Sequence, residues 1–339
     1  MMGSLKTKLL TVLLASCITL GVVGCGGQNK EANNSGKSSG FYKGKNVTMI
    51  VPWSAGGGTD TDARTFAPYL EKELGCKIQV TNVTGGSGWV GWQQLLKGKA
   101  DGLTVSVVNF PPVLVGYLNP KMHRKYTIKD FNFLCNFVSD STVIIANKDE
   151  KRFTDMKSLV EYAKTHEVTY GSTGSGSDEG VLMYRLNAAL GTKFKEVPSK
   201  GAADARAAVQ GGHVDVAGAN VSEVKKLYDD KQIKVMAVFA EKEDPLLKGV
   251  PTFDSLKLTS ASIVNASNRG FAVKAGTSDA AVKEFNTAME KIVKDPEIQK
   301  KLSSYGSSLD YKNSASFLKM IQEQETLLKG MADVLGWNN

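Results

Sequence analysis

The sequence predicts an α/β fold, and two observations carry that prediction. Short β-rich runs alternate with segments whose apolar residues recur at helical spacing, the pattern of strands and helices stacked in layers. Three times, a β-rich run ends in a Gly/Ser-rich loop that opens a helix. The body that begins near Phe41 holds roughly 300 residues, the size of one large or two ordinary domains.

The elements follow in order. The run 47–52 is a first strand, ending in Trp53-Ser54-Ala55-Gly56-Gly57-Gly58-Thr59-Asp60. A helix then carries Ala63, Phe66, Ala67 and Leu70 on one face. A second strand, 77–83, leads through Gly85-Gly86-Ser87-Gly88-Trp89 into a helix over 90–96. A third strand over 103–108 reaches Asn109. The β-rich stretch 133–145 is long enough to cross between domains. Met156, Leu159, Val160 and Ala163 mark the next helix. The brief strand 168–170 enters Gly171-Ser172-Thr173-Gly174-Ser175-Gly176-Ser177, and a helix with Val181, Leu182, Leu186 and Leu190 follows. The helix 202–210 stops at Gly211-Gly212. Strands are expected over 214–218 and 235–240, and 263–274 returns the chain to the first domain. The tail is helical: Val282, Phe285, Met289 and Ile292 share a face, Asp295-Pro296 caps and starts a further helix, and a last one runs over 314–335.

Ahead of this body, Lys6 and Lys8 precede an apolar run over 9–23. That run falls short of the ~20 residues a membrane-spanning helix needs and has the layout of an export signal. The stretch Val22-Val23-Gly24-Cys25 resembles the lipobox of bacterial lipoproteins. The resemblance implies removal of 1–24, diacylglycerol on the Cys25 sulfur, and an extracytoplasmic protein anchored in a membrane by its lipid. Residues 25–40, rich in Gly, Asn, Ser and Lys, read as a flexible tether.

The chain carries 42 basic and 34 acidic residues, interspersed, and has no arginine-rich block, so nucleic acid is not an expected partner. Cys76 and Cys135 are expected to be separate buried thiols. His123, His166 and His213 are scattered, with no metal-ligand spacing, and no cofactor is expected. Gly86-x-Gly88-x-x-Gly91 matches the dinucleotide pattern weakly, because the next strand ends at Asn109 with no acid to hold a ribose. Neither a P-loop nor a G-x-S-x-G elbow occurs. The three Gly/Ser loops instead suggest anion binding. A helix N-terminus presents unpaired N–H groups and partial positive charge, glycine admits close backbone approach, and hydroxyls add hydrogen bonds.

Several motifs now occur in order: Pro52-Trp53-Ser54-Ala55-Gly56-Gly57-Gly58-Thr59-Asp60-Thr61-Asp62-Ala63-Arg64; the second loop from Asn82 to Gly91; the Tyr170-Gly171-Ser172 loop; Val197-Pro198-Ser199-Lys200-Gly201; Gly211-Gly212-His213-Val214-Asp215-Val216; and Asp295-Pro296-Glu297. Through them the chain resembles the substrate-binding components of tripartite tricarboxylate transporters, including the Bordetella uptake proteins. The likeness covers about residues 47–336. It implies a two-domain periplasmic-binding-protein fold, type II-like, closing on a small carboxylate in a cleft, with 41–143 plus 257–339 as one domain and 144–256 as the other. It also implies large and small membrane permease subunits as partners, and binding without catalysis. A sensor handing its closed form to a receptor, and an enzyme acting on an anionic substrate, are the rival assignments.

The first two loops would work as a pincer on one carboxylate. Candidate ligand residues are Trp53, Ser54, Ala55, Gly56, Gly57, Thr59 and Asp60 in the first loop and Gly85, Gly86, Ser87, Gly88 and Trp89 in the second. Asn109, then Ser172, Thr173, Gly174 and Ser177, and finally Asn220 complete the set. Trp53 and Trp89 either wall the ligand or pack. Asp60 is expected to orient the first loop, Arg64 to brace its helix, and Lys200 either to counter an anion or to sit in solvent. Gly57 and Gly86 are expected to need the absence of a Cβ, for close approach or for a left-handed backbone. The family often places histidine near 179–180, where this chain has Asp178-Glu179-Gly180. If those acids face the cleft, a monocarboxylate with a neutral or cationic far end is expected over citrate. If they face solvent, they only complement the helix dipole.

Overall fold

The computed structural model describes residues 40–338. The signal, Cys25 and all but the last residue of the tether lie outside the described residues.

Among the described residues ten strands occur in chain order: β1 Asn46–Val51, β2 Lys77–Asn82, β3 Thr104–Phe110, β4 Phe131–Asn147, β5 Val168–Ser172, β6 Phe194–Pro198, β7 Val216–Asn220, β8 Ile233–Val238, β9 Ala266–Lys274 and β10 Leu309–Asn313. The helices among them are α1 Gly58–Leu74, α2 Trp89–Lys97, α3 Pro112–Leu118, α4 Met156–Thr165, α5 Asp178–Leu190, α6 Ala202–Gln210, α7 Val221–Asp229, α8 Asp279–Ile292, α9 Pro296–Ser304 and α10 Ser314–Gly330.

The strand order is β2-β1-β3-β9-β4-β7-β5-β6, with β8 and β10 also on β4. Two halves share the long strand β4. Its first part runs antiparallel to β9, from Phe131 opposite Lys274 to Ser141 opposite Ala266. Its last part, from Thr142, runs antiparallel to β7 and β8. In the first half β2, β1 and β3 are parallel; in the second, β6, β5 and β7 are parallel. Such strands, covered by helices on both faces, read as unbroken apolar runs, as in Met49, Ile50 and Val51 of β1.

Each half has its own core. Phe66 of α1 packs on Phe137 and Phe271 with ring centroids 4.9 and 6.3 Å apart, and Phe285 and Met289 of α8 join them. On the other face Trp89, Trp92, Phe110 and Phe317 meet. In the second half Leu159, Leu182, Leu186 and Phe253 pack on one face of the sheet, and Val209, Val224 and Leu247 on the other. Cys76 and Cys135 are buried free thiols. α1 ends at Gly75, whose left-handed φ of 63° lets its N–H reach Glu71 O.

Four elements have no counterpart in the sequence reading: α3, β6, α7 and β10. β7 also begins two residues later than expected, at Val216. The reason is local: the Asp215 carboxylate accepts the Thr169 N–H at 2.8 Å, taking a donor that a ladder partner would otherwise use.

Candidate ligand-binding site

In open α/β sheets ligands gather outside the carboxyl ends of the strands. Here the segments that follow β1, β5, β6 and β7 converge on one cavity of about 240 Å³. Its lining includes Trp53, Ser54, Ala55, Gly57, Gly58, Thr59 and Asn109 from the first half and Thr173, Ser177, Asp178, Glu179, Gly201, Ala202, Asn220 and Glu223 from the second. Arg269 of β9 completes it.

The first loop is built by side chains behind it. Asp60 accepts the Gly56 N–H at 2.9 Å, both Arg64 Nε contacts at 3.0 Å, and Asn82 Nδ2 at 2.9 Å. Burial opposes ionisation of Asp60, but those hydrogen bonds and the Arg64 charge hold its carboxyl below the ordinary carboxylate range. Asn82 also donates to Trp53 O at 2.9 Å. Asp60 is absent from the lining and shapes the loop from outside, as Arg64 braces the helix. Trp53 Nε1 donates to Asn109 Oδ1 at 2.9 Å, and Asn109 Nδ2 donates to Thr59 Oγ1 at 3.0 Å, so three of the expected residues form one polar wall.

Two helices start at this cavity on glycine N-caps that make no side-chain capping bond: α1 at Gly57 and α6 at Gly201. They come from opposite halves and face each other closely, since a Cβ at Gly201 would lie 3.4 Å from Ser54 Oγ. Their first-turn N–H groups therefore lack side-chain acceptors at the point where both line the cavity. Arg269 stands beside them. A Cβ at Gly58 would come within 2.8 Å of its Nη2.

Arg269 is 1% exposed. Its Nη1 donates to Asp62 Oδ2 at 2.6 Å and its Nη2 to Asp140 Oδ2 at 2.8 Å. Burial disfavours the guanidinium charge, but Asp140 and Asp62 more than offset this and its pKa is raised. Asp140 is pushed up to about 7 by burial, against the pull of Arg269 and of the Ser222 hydroxyl and N–H. Ser222 lies in the first turn of α7, so Arg269 connects α1, the central strands and α7.

Other expectations are corrected. Trp89 is fully buried; its Nε1 donates to Pro112 O at 3.2 Å and its ring meets Trp92 edge-on at 5.7 Å, so it packs and does not wall the cavity. Gly85, Gly86, Ser87 and Gly88 are also absent from the lining. This loop folds back on its own tryptophans, for a Cβ at Gly88 would strike the Trp92 ring at 2.7 Å, and Ser87 abuts the third loop near Gly174 and Gly176. Gly57 has φ −75°, an ordinary value; the left-handed glycine of the first loop is Gly56, at φ 79°, and Gly56 does not line the cavity. Ser172 is buried behind the third loop, donating to Glu196 Oε1 at 2.6 Å and accepting the Gly174 N–H at 2.9 Å; neither it nor Gly174 lines the cavity. Lys200 is likewise absent from it.

Asp178 and Glu179 do face the cavity, buried in the first turn of α5. Arg269, Gly201 and Glu223 were not foreseen as site residues. Gly201 stood in a quoted motif, and Asn220-x-x-Glu223 has the spacing of a helix start, with the Asn220 N–H donating to Glu223 Oε2 at 3.3 Å. Arg269, in mid-strand, carries no such local signal.

Residues 63–336 match the tripartite tricarboxylate transporter family receptor, TctC. The chain belongs to this family. A UPF0065 protein of Agrobacterium vitis is 29% identical over 269 residues, 78% of this chain and 76% of that one. A TctC solute-binding protein from Polaromonas, solved without ligand, is 26% identical with a TM-score of 0.66, covering 85% of this chain and 98% of its own. MatC of Rhodopseudomonas palustris, solved with bound malate, shares the fold at 22% identity and a TM-score of 0.78, covering 86% of this chain and 99% of its own.

Proposed function

We propose that this family member is an extracytoplasmic lipoprotein that captures a small carboxylate and offers its closed, ligand-bound form to large and small membrane permease subunits. The observation that carries the reading is the meeting of two side-chain-uncapped helix N-termini, α1 and α6, at one cavity beside the Arg269 guanidinium. Free N–H groups and the positive ends of two dipoles then converge where a carboxylate would sit. Trp53, Asn109, Thr59 and Ser54 would orient it. On this reading residues 41–143 plus 257–339 and residues 144–256 act as two domains. They would close about β4 and β9, with α1 supplied by one and α6 by the other. Nothing in the scheme makes or breaks a bond.

The test is a thermal-shift screen of carboxylates, each beside its matching carboxamide. A ligand at a hundredfold excess over Kd adds about 2.7 kcal/mol of apparent stability, which such a screen resolves. Carboxylates should raise the melting temperature and their amides should not. Equal shifts from acid and amide, or none from any acid, would overturn the reading.

A further inference from the structure

The residues that the second half contributes to the cavity lining include buried acids. Asp178 and Glu179 are 5% and 3% exposed and both line the cavity. Asp178 Oδ2 accepts Thr142 Oγ1 at 2.9 Å and Asn220 Nδ2 at 2.8 Å, while its Oδ1 takes no hydrogen bond among the described residues. Glu179 Oε2 accepts Thr173 Oγ1 at 3.0 Å. Neither carboxylate forms an ion pair among the described residues. Arg269, the one basic residue of the lining, is held by Asp62 and Asp140, and Arg206 stands 3.0 Å from Glu223. Asp204 and Glu223 add two more acids to the same lining.

Acids in a helix first turn are common on surfaces, where the dipole favours them modestly. Burying a carboxylate costs far more than that, so the dipole alone does not offset the placement of these two. A pair of buried acids with no ion-pair partner among the described residues opens into a ligand cavity, where a cationic group of the ligand would complete it.

We infer that the ligand carries a cationic nitrogen that sits against Asp178 and Glu179. It is then an amino acid-like zwitterion, its carboxylate toward α1 and α6, and not a di- or tricarboxylate. This inference rests on the carboxylate reading above.

Calorimetry on the full chain tests it with matched straight-chain probes of four to six carbons: the ω-amino acid, the dicarboxylate, the plain monocarboxylate and the alkylamine. At least one ω-amino acid should bind about tenfold or more tighter than the dicarboxylate and the monocarboxylate of its length. The double variant Asp178→Asn, Glu179→Gln should erase that preference, so that the ω-amino acid binds no tighter than the monocarboxylate of its length. A dicarboxylate binding as tightly as its amino analogue overturns the inference and leaves the carboxylate reading standing. Amine binding without any carboxylate binding overturns the carboxylate reading and keeps the cation subsite. Binding by none of the probes overturns both. Should the double variant not fold, the order of affinities on the unaltered protein decides the matter by itself.

Discussion

Arg269 Nη2 donates to Asp140 Oδ2 at 2.8 Å in the interior of the protein, and the same Asp140 accepts the Ser222 N–H at 3.1 Å at the start of α7. The pair therefore joins the floor of the cavity to a helix of the second half, while Arg269 Nη1 holds Asp62 of α1. Removing one partner of such a pair leaves an uncompensated buried charge. Arg269→Met should lower unfolding stability by about 3–5 kcal/mol in urea titration. Asp140→Asn, which keeps most hydrogen bonds, should cost less. A loss under about 1 kcal/mol for Arg269→Met would mean the guanidinium bears little of the structure.

Gly58 gives a sharper probe of the same group. An added Cβ would stand 2.8 Å from Arg269 Nη2, and the guanidinium cannot retreat because two aspartates hold it. Gly58→Ala should destabilise by about 1–3 kcal/mol through overpacking. Gly57→Ala meets only Ser54 O at 3.4 Å with an ordinary φ, so it should fold normally. Parallel thermal melts of the two variants check this, and equal melting temperatures would contradict the crowding argument.

How much of this was legible follows from what each feature depends on. Local features were readable: Gly211-Gly212 as a helix stop, Asp295-Pro296 as a helix start, the loop after β1 as a cavity wall. The family motifs led to Thr173 and Ser177, which line the cavity. What failed to show depends on contacts far apart in sequence. Nothing near Arg269 announces that Asp62 and Asp140 will meet it. Trp89 follows a glycine loop as Trp53 precedes one, yet only the packing of Trp92 decides that Trp89 points inward. β10 is short and half-buried, and its place on β4 comes from register with Cys135 and Asn136, which no spacing within the strand encodes.

The anchor is a separate prediction from sequence. Cys25→Ala should abolish incorporation of a fatty-acid probe and move the protein from the membrane to the soluble fraction, or leave its signal uncleaved. The grounds are Val22-Val23-Gly24-Cys25 after a short apolar run and before a polar tether. Equal labelling of the variant and the unaltered chain would remove the lipoprotein assignment.

The last prediction concerns pH. Burial pushes the Glu179 carboxyl well above its ordinary value near 4.5, and Asp178 and Glu223 push it further, while the Ser177 hydroxyl pulls the other way. Asp178 is raised too, by burial first and by Glu223, against hydrogen bonds from Asn220 and Thr142 and the charge of Arg269. Tyr170 of β5, Glu196 of β6 and Glu223 of α7 are the other ionisable groups around this pair, with Arg269 the nearby cation. The sign follows from proton counting. Between the ordinary and the raised pKa the folded state holds a proton that the unfolded state has released, so stability falls as pH rises through that window. Each such proton contributes a slope of up to about 1.4 kcal/mol per pH unit. Asp140, raised to about 7, adds to the fall in any single curve, so the difference between two proteins is the quantity to read. Urea unfolding of the ligand-free protein from about pH 5 to 8 should show declining stability, and Glu179→Gln should flatten the decline. Identical slopes would mean that Glu179 is ionised across the range. A bound ω-amino acid should counter the decline, because its ammonium favours the ionised carboxylates at high pH. A dicarboxylate, which needs a protonated acid to donate to its far end, would bind more weakly there. The direction in which ligand stabilisation changes with pH therefore separates the two ligand classes without any variant.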